Sequence, residues 1–236
     1  MTGATGNLYF GLHEFEDMAF LLHYLRAEDL FIDAGANVGS YTVLASGHVR
    51  CKTMAFEPIP TTFQHLVNNI GINRMNDRVE AFNKGLGKEI GSLHFTKSLD
   101  TVNHIATESE ENTLLVEVDF LDHVLEGDCP SLIKIDVEGF ETEVLYGAQA
   151  TLKNPALKAI IIELNGSGAR YGFDENEIHL KFLSLGFKPY NYYPFTRSLE
   201  EIPHFGNYNT IYIRDVEFVK QRLMTAEKIE ILHQMI

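Results

Sequence analysis

The chain carries two stretches in which acidic, amide and basic side chains follow apolar runs typical of buried strands. In the first stretch, Asp33 ends the apolar run Leu30–Ile32 and opens the pattern Asp-x-Gly-x-Asn-x-Gly, which Gly39 closes. The residues Ser40–Ala45 then have the composition of a helix. A strand, a tight glycine-containing loop and a helix start form a geometry that lets backbone N–H groups approach a nucleotide-like cofactor.

The order of residues in this loop distinguishes between cofactors. The phosphate-binding order Gly-x-Gly-x-x-Gly of dinucleotide folds is missing from it. The acid at the end of the strand, Asp33, would repel a pyrophosphate group and would suit a cation. S-Adenosylmethionine carries an ammonium and a sulfonium group and no phosphate, so the loop favours a methyl donor over NAD.

The next two predicted strands also end in residues that could contact an adenosine. Glu57 ends the strand Thr53–Phe56, where an acid can accept both ribose hydroxyls, as in dinucleotide folds. Its alternative is a solvated turn residue before Pro58. Asn83 ends the third strand, where its amide could reach the adenine ring or could simply form a turn. We therefore predict Glu57 and Asn83 as cofactor-binding residues.

The second stretch, Ile133–Glu141, places a lysine and two acids in and after an apolar strand. Alternate side chains of a strand share a face, so Lys134 and Asp136 point the same way, and Glu138 joins them if the extension persists. Buried charge is unfavourable unless it is paired. The block therefore predicts a functional site at the carboxyl end of this strand, or else an ion pair that only orders the loop.

Histidine is the usual rival to a carboxylate as a catalytic base. Several histidines lie in or near segments that could reach the predicted site, although a lone histidine is more often a surface or satisfied polar residue: His13, His94, His104, His179 and His204. A divalent metal is a further alternative, because Asp136, Glu138 and Glu163 end neighbouring strands and carboxylates suit Mg²⁺. Nothing fixes their spacing as ligands, so we predict no metal.

Three loops are candidates for the border of an acceptor site. In Asn165–Tyr171, Arg170 with Tyr171 could grip a polar acceptor, and Asn191–Phe195 offers aromatic surface for a sugar ring or an apolar acceptor. Ordinary loop packing explains both equally well. The polar stretch Ser98–Asn112 has little periodicity and is predicted to be a surface loop and a candidate cover for the active site.

Strands and helices alternate along the chain, which indicates a mostly parallel sheet covered on both faces. The predicted elements are helix 14–26, strand 30–34, helix 39–47, strand 53–56, helix 61–73, strand 79–82, extended pieces at 92–95 and 114–118, strand 132–135, a helix from 140, strand 159–164, helix 174–185, and strands 187–190 and 210–213. Without a linker or an internal repeat, residues 1–236 are predicted to form one domain, with a helical lead-in over 1–28 and a C-terminal helix over 215–236. That terminal helix packs on its own sheet or makes a homodimer contact.

Composition limits the partners and the compartment. The formal net charge of −14 and the lack of a basic run disfavour nucleic acid, whose phosphates need clustered Lys and Arg. Cys51 and Cys129 lie far apart and fit no metal-binding or redox spacing. No apolar run is long enough for a membrane span, and the first residues lack the pattern of a signal peptide. We therefore expect a cytoplasmic protein without a membrane span.

These motifs together resemble the FkbM family of S-adenosylmethionine-dependent methyltransferases. The resemblance covers about residues 10–213, and it is carried by the Asp33–Gly39 pattern, Phe56–Pro58, Asn69, Asn73 and, most specifically, Ile133–Glu141. It implies an α/β, Rossmann-like methyltransferase fold with a seven-stranded, mostly parallel sheet, helices on both faces and an antiparallel last strand. It also implies S-adenosyl-L-methionine as the cofactor and O-methylation of a sugar, glycan, polyketide or similar small molecule.

The resemblance and the strand-end argument together give a set of site residues. The predicted cofactor-binding residues are Asp33, Gly35, Ala36, Asn37, Gly39, Glu57 and Asn83. The resemblance places Asp136 and Glu138 near the methyl group and the acceptor, and the family motif also matches at Lys134. The stretch Val118–Asp122 follows the family pattern only loosely, which leaves Asp122 without a role.

The chemistry of the donor indicates what these residues must do. The sulfonium is already activated, so the enzyme mainly aligns the methyl carbon, the leaving sulfur and the acceptor oxygen. A neutral alcohol is a poor nucleophile, and we predict that Asp136 or Glu138 takes its proton while Lys134 tunes the pair. Two alternatives are a non-catalytic methyltransferase-like domain that binds cofactor or a partner protein, and a nicotinamide-dependent oxidoreductase, which the missing glycine order disfavours.

Overall fold

The computed structural model describes residues 11–96, 104–107 and 111–236 as an α/β fold. Its strands are β1 Leu30–Ala34, β2 Lys52–Phe56, β3 Val79–Phe82, β4 Gly85–Leu86, β5 Gly91–Thr96, β6 Thr113–Asp119, β7 Leu132–Ile135, β8 Ala159–Glu163, β9 Lys188–Tyr193, β10 Ser198–Glu201, β11 Asn209–Ile213, β12 Glu230–Ile231 and β13 Gln234–Met235. Its helices are α1 Phe15–Tyr24, α2 Ser40–Thr42, α3 Pro60–Ile72, α4 Leu121–Val124, α5 Glu141–Tyr146, α6 Gln149–Lys153, α7 Glu175–Ser184 and α8 Val216–Thr225. Within these residues, no helix is both long and apolar enough to cross a bilayer.

The central sheet has eight strands in the order β10-β9-β11-β8-β7-β1-β2-β3. The strands β8, β7, β1, β2 and β3 pair in parallel, and β11 runs antiparallel to both β8 and β9. This confirms the predicted Rossmann-like methyltransferase fold with its antiparallel last strand. The sheet exceeds the expected seven strands because β10 folds back on β9 as an added edge strand. A separate small sheet joins β4, β6 and β5.

Two apolar cores cover the two faces of the sheet, as strand pleating requires. Phe31 and Ile161 belong to the core beneath α1 and α8, whereas their neighbours Ile32 and Ile160 belong to the core beneath α5, α6 and α7. All four side chains are fully buried. The unbroken apolar runs of β1 and β8 therefore arise because both faces of each strand are covered by helices.

The helix after the first loop departs from ordinary α-helical geometry. It begins at Ser40, close to its predicted start, and after Thr42 it continues as a π-helix over Val43–Val49. The extended pieces predicted on either side of the polar stretch Ser98–Asn112 are β5 and β6, which pair antiparallel. Of that stretch, 98–103 and 108–110 lie outside the described residues, and within the remainder Ile105 bridges to Phe95.

The prediction of a C-terminal helix over 215–236 is wrong beyond Thr225. Ala226 is extended, and the chain then forms the short hairpin of β12 and β13. The Arg197 guanidinium accounts for this ending, because it donates hydrogen bonds to the carbonyls of Leu223, Ala226, Glu227 and Ile236. The buried Val219 and Leu223 of α8 pack into the core beneath α1, so this helix packs on its own sheet. That the whole chain is a single domain remains a prediction.

The structure gives Asp122 a clear structural role as a cap for the short helix α6. Its carboxylate accepts hydrogen bonds from the backbone N–H of Ala150 at 2.7 Å and of Thr151 at 2.9 Å, and from the Thr151 hydroxyl at 2.6 Å. Loss of a capping side chain typically costs about 1–2 kcal/mol. We expect Asp122→Ala to lower the free energy of unfolding by that amount in urea titrations while leaving cofactor affinity unchanged. A loss of cofactor affinity would contradict a purely structural role.

Candidate functional site

A cleft opens at the carboxyl ends of the central strands, where open α/β sheets place their ligands. One side is formed by the loops after β1, β2 and β3, and another by the loop after β7. Residues from β5 and from the bridge at Ile105 complete it. The lining residues are Gly35, Asn37, Phe56, Glu57, Pro58, Ile59, Thr62, Lys84, Gly85, Leu86, Phe95, Ile105, Asp136, Val137, Glu138 and Phe140. Ile105 lies in the stretch Ser98–Asn112, the predicted candidate cover for the active site, whereas no sequence pattern indicated the apolar contribution of Phe95.

The loop Asp33–Gly39 is tied to its surroundings through its own backbone. Each N–H group from Gly35 to Gly39 has a partner within the protein: Gly35 and Ala36 donate to Phe56 O, Asn37 to Glu57 Oε2, Val38 to Asn37 Oδ1, and Gly39 to Ala36 O. The loop therefore presents no free N–H group from Gly35 to Gly39, and cofactor binding by these residues stays a prediction. Because they are engaged, the loop does not form the cradle of free donors that binds phosphates elsewhere.

Gly35 is the position in this loop that only glycine can occupy. Its φ of +79° lies in the left-handed region, and a Cβ built on it would stand 1.8 Å from the carbonyl oxygen of Asp136. The loop after β1 and the loop after β7 thus meet with no side chain between them. This close approach brings the two predicted motifs together at one cleft.

Glu57 directly follows β2 and Asn83 directly follows β3, as predicted, but the two side chains have different surroundings. The Glu57 carboxyl group lines the cleft and accepts hydrogen bonds from Ile59 N at 2.9 Å and Asn37 N at 3.0 Å. Burial raises its pKa to about 7. The Asn83 amide instead donates to the carbonyls of Glu57 and Pro58, at 2.9 and 3.0 Å. Its direct contact is with the loop that carries Glu57.

Asp33 lies fully buried beneath the loop that it opens. Its Oδ2 accepts a hydrogen bond from the Thr42 hydroxyl at 2.6 Å, which joins the end of β1 to α2. Its Oδ1 is buried and has no hydrogen-bond partner in the described part of the chain. Burial raises the pKa of Asp33, against the opposing attraction of Lys134. An ionised Asp33 carboxylate at this place would add negative potential to the cleft from behind the loop.

Lys134 is the buried cation at the centre of these acids. Its Nζ donates to Asp136 Oδ2 at 2.9 Å and to Gly35 O at 3.2 Å, and it lies 5.1 Å from the centre of the Tyr41 ring. Burial alone would lower its pKa, but the carboxylates of Asp136 and Asp33 outweigh burial and raise it. The predicted pairing of Lys134 with Asp136 on one face is confirmed. Lys134 also ties the loop after β1 to the loop after β7.

Strand pleating collects further polar residues on the face that Lys134 occupies. In register, Asp33 stands opposite Lys134, and Glu163 at the end of β8 stands opposite Asn209 of β11. Each of these residues lies two positions along its strand from a residue that is buried beneath α1, and so shares its face of the sheet. Lys134, for example, lies two positions from Leu132 of β7. The polar ends of four neighbouring strands therefore lie in one row under the start of α1.

Residues near the start of α1 complete this row. Tyr41 donates its hydroxyl proton to Glu14 Oε2 at 2.5 Å, so the acid before α1 is joined to the ring above Lys134. Burial and the neighbouring Glu14 raise the pKa of Asp17 to about 7. No spacing in the sequence predicts these contacts, because α1 and β7 are far apart along the chain.

The loop after β7 holds its second acid in an unusual backbone conformation. Glu138 has a φ of +56°. The Glu141 carboxylate fixes this turn by accepting hydrogen bonds from Val137 N at 3.2 Å and Gly139 N at 3.1 Å. Burial raises the pKa of Glu138 above its usual range and that of Glu141 to about 7. Non-glycine residues in this conformation are strained and cluster at functional sites.

The loop after β8 supports that turn from outside. Arg170 donates to the Glu138 carbonyl at 3.3 Å, and the Tyr171 hydroxyl donates to the Ile105 carbonyl at 2.7 Å. The Phe140 and Tyr171 rings meet edge to face at 5.6 Å. Arg170 and Tyr171, predicted to grip an acceptor, thus hold the border of the cleft. In the stretch Asn191–Phe195, the Phe195 side chain is exposed, and the centre of its ring lies 5.5 Å from the centre of the Phe15 ring.

The candidate histidines are dispersed, and their contacts are with the protein. His104 is buried, and its backbone N–H donates to the Thr96 hydroxyl at 3.0 Å. The other four have these neighbours: His13 lies 3.9 Å from Glu14, His94 bonds to the Thr113 hydroxyl, His179 bonds to the Tyr212 hydroxyl, and the His204 ring centre lies 4.6 Å from that of His179. Among the residues that the structure describes, no three His, Cys, Asp or Glu side chains are grouped to hold a metal ion.

One family model matches the chain over more than half of its length. The family model described as Methyltransferase FkbM domain matches residues 33–189. The chain is 30% identical over 148 residues to Hexuronic acid methyltransferase AglP of Haloferax volcanii, covering 61% of this chain and 59% of that protein. It is 31% identical over 147 residues to Methyltransferase 1 of Beauveria bassiana, covering 51% of this chain and 58% of that protein. The chain thus spans less than two thirds of the length of these two relatives.

Two solved structures are similar to this chain at low sequence identity. The precorrin-6y C5,15-methyltransferase of Geobacter metallireducens is 12% identical, with a TM-score of 0.46 and coverage of 85% of this chain and 87% of that chain. The precorrin 8w decarboxylase of Methanobacterium thermoautotrophicum is 15% identical, with a TM-score of 0.49 and coverage of 85% of this chain and 89% of that chain.

Proposed function

The chain belongs to the FkbM family of methyltransferases, whose cofactor is S-adenosylmethionine, and we propose that it methylates a hydroxyl group of a sugar, glycan or similar small molecule. The observation that carries this proposal is a carboxylate-lined cleft beside a loop whose N–H groups are all engaged from Gly35 to Gly39. Such a cleft attracts a cationic cofactor and offers no cradle for a pyrophosphate.

The residues that line the cleft fit the parts of this cofactor. Bound S-adenosylmethionine supplies a methyl group on an activated sulfonium, which needs no further activation. Glu57 keeps a second lone pair on each carboxylate oxygen, so it can accept the ribose hydroxyls. Phe56 and Leu86 offer apolar surface for the adenine. Asp136 and Glu138 stand at the other wall, where their charge favours the ammonium and the sulfonium.

The acceptor is proposed to lie over the row of polar strand ends beyond Asp136. Its class is suggested by the name of the Haloferax volcanii relative, which acts on a hexuronic acid. Polar side chains such as Glu163 and Asn209, with exposed aromatic rings such as Phe195, match the mixed polar and apolar faces of a sugar. The formal net charge of −14 and the lack of clustered Lys and Arg disfavour a nucleic-acid acceptor with its many phosphates.

Calorimetric titration tests the cofactor half of the proposal. We expect S-adenosylmethionine and S-adenosylhomocysteine to bind, NAD not to bind, and Glu57→Gln to weaken both interactions about tenfold or more, because hydrogen bonds to a charged group contribute about 1.5–3 kcal/mol. The exposed Glu80→Gln on the neighbouring strand is the matched control and should bind like the wild type. Binding of NAD in place of the first two ligands would favour an oxidoreductase.

A panel of hydroxylated acceptors tests the transfer half. Wild-type protein with labelled S-adenosylmethionine is expected to methylate at least one member of a set containing free hexuronic acids, their glycosides, neutral sugars and polyketide alcohols. Retained cofactor binding with no transfer to any of them would favour a non-catalytic cofactor-binding domain.

A further inference from the structure

Glu163 lies at the end of β8, between the cleft and the outer strands. It follows the buried run Ala159–Ile162, and its register partner on β11 is Asn209. On the other side, β7 pairs with β8 up to Ile135, so Asp136 is the next residue level with Glu163. Neighbouring strands are about 4.8 Å apart. Glu163 therefore stands one strand further from the cofactor cleft than Asp136, on the same face of the sheet.

The carboxyl group of Glu163 is free to take part in chemistry, whereas most neighbouring carboxylates are engaged. The Asp136 carboxylate accepts a hydrogen bond from Lys134, and that of Glu14 accepts one from the Tyr41 hydroxyl. Glu57 and Glu141 each accept hydrogen bonds from two backbone N–H groups. Within residues 11–96, 104–107 and 111–236, the Glu163 carboxyl group accepts no hydrogen bond. A half-buried carboxylate without a donor retains its full capacity to accept a proton.

The direction of transfer separates Glu163 from Glu138, whose carboxyl group is also without a hydrogen bond in the described chain. In-line displacement requires the acceptor oxygen on the side of the methyl group opposite the sulfur. Glu138 lines the cleft that would hold the donor, so its charge acts beside the sulfonium. Glu163 lies beyond Asp136, on the side from which an acceptor would approach.

The surroundings of Glu163 raise the pKa of its carboxyl group. Burial raises its pKa to about 8, and the carboxylates of Asp136, Glu138 and Glu141 add to the increase, against the opposing charge of Lys134. A general base works best when its pKa lies near the working pH. Asp136, by contrast, shares its carboxylate with a buried ammonium group.

We propose that Glu163 is the general base that takes the proton from the acceptor hydroxyl, an inference that rests on the proposed O-methyl transfer. As the hydroxyl oxygen bonds to the methyl carbon, the carbon–sulfur bond breaks and its electron pair stays on sulfur. The hydroxyl proton passes to a Glu163 carboxylate oxygen and then to water. Asp136 and Glu138 stabilise the cationic donor from their side of the methyl group. The carboxylate predicted from the Ile133–Glu141 motif is thus replaced as base by one from the next strand.

The first test is turnover and its dependence on pH. We expect Glu163→Gln to lower kcat by about 10²- to 10⁴-fold, the usual contribution of a general base, with S-adenosylhomocysteine affinity within about threefold of the wild type. Wild-type kcat should rise with pH through a pKa near 8, and this rise should be absent from Glu163→Gln. Glu177→Gln, an exposed acid on α7, is the matched control and should keep wild-type turnover and pH dependence. Wild-type kcat in Glu163→Gln would overturn the proposal.

A second readout does not depend on activity. Carbon-13 NMR titration of protein labelled at the glutamate carboxyl carbons should show one resonance that titrates near pH 8 and that Glu163→Gln removes. If no such resonance exists, Glu163 is not the base. Failure of the wild type to methylate any acceptor would instead contradict the proposed function, which separates the two failures.

Discussion

Replacement of Gly35 by alanine is expected to destabilise the protein by about 2–5 kcal/mol and to abolish cofactor binding. A left-handed φ costs a residue with a Cβ about 1–2 kcal/mol, and forced overpacking typically adds about 1–3 kcal/mol. Here the new methyl group would meet the Asp136 carbonyl oxygen at 1.8 Å, and a backbone atom cannot rotate away as a side chain can. The loops after β1 and β7 would have to separate, and both line the cleft.

Gly71→Ala provides the matched control for this experiment. Gly71 lies in α3, and a Cβ built there has no atom within 4 Å. Alanine is favoured over glycine in a helix by about 0.5–1 kcal/mol, so this variant should be slightly more stable than the wild type. Urea unfolding followed by circular dichroism, with calorimetric titration of S-adenosylhomocysteine, would measure both effects. Equal stability of the two variants would show that the loops can separate at little cost.

Replacement of Lys134 by methionine is expected to cost about 3–5 kcal/mol at pH 8.5, the usual penalty for breaking a buried ion pair. Methionine preserves most of the side-chain volume, so the loss of stability would report mainly the removal of the positive charge. Lys134 is 4% exposed, and without it the buried Asp33 and the adjacent Asp136 would have no cation beside them. Lys158→Met is the matched control, because Lys158 pairs with Asp215 at 3.0 Å near the surface, where such pairs contribute at most about 1 kcal/mol.

The cost of Lys134→Met should depend on pH in a defined direction. Burial already raises the pKa of Asp33, and loss of the ammonium group raises it further. A carboxyl group whose pKa is raised on folding stabilises the folded state below its unfolded pKa, and this stability is lost as pH rises through the folded pKa. Lys134→Met should therefore be closer to wild-type stability at pH 5.5 than at pH 8.5. A pH-independent difference in urea midpoints would indicate that lost packing dominates.

The sheet could be predicted from the sequence because its signals are local. The apolar runs that became β1, β7 and β8 are bounded by polar or glycine residues, and helices of amphipathic pattern separate them. The pairing of Lys134 with Asp136 is equally local, since the two-residue period of a strand brings them together wherever it lies. The end of α8 was not predictable, because it depends on Arg197 of a distant turn, which donates hydrogen bonds to the carbonyls of Ala226 and Glu227 just after the helix.

The order of the central strands, the family and the loops that meet at the cleft could thus be predicted from sequence patterns. Tertiary packing set the chemistry within that cleft. It engaged the loop N–H groups, brought Glu14 and Asp17 of the α1 region over Lys134, and left Glu163 without a donor. The reason is physical. Hydrophobic periodicity is a property of neighbouring residues, whereas the proton affinity of a carboxyl group depends on burial and on charges contributed by distant segments.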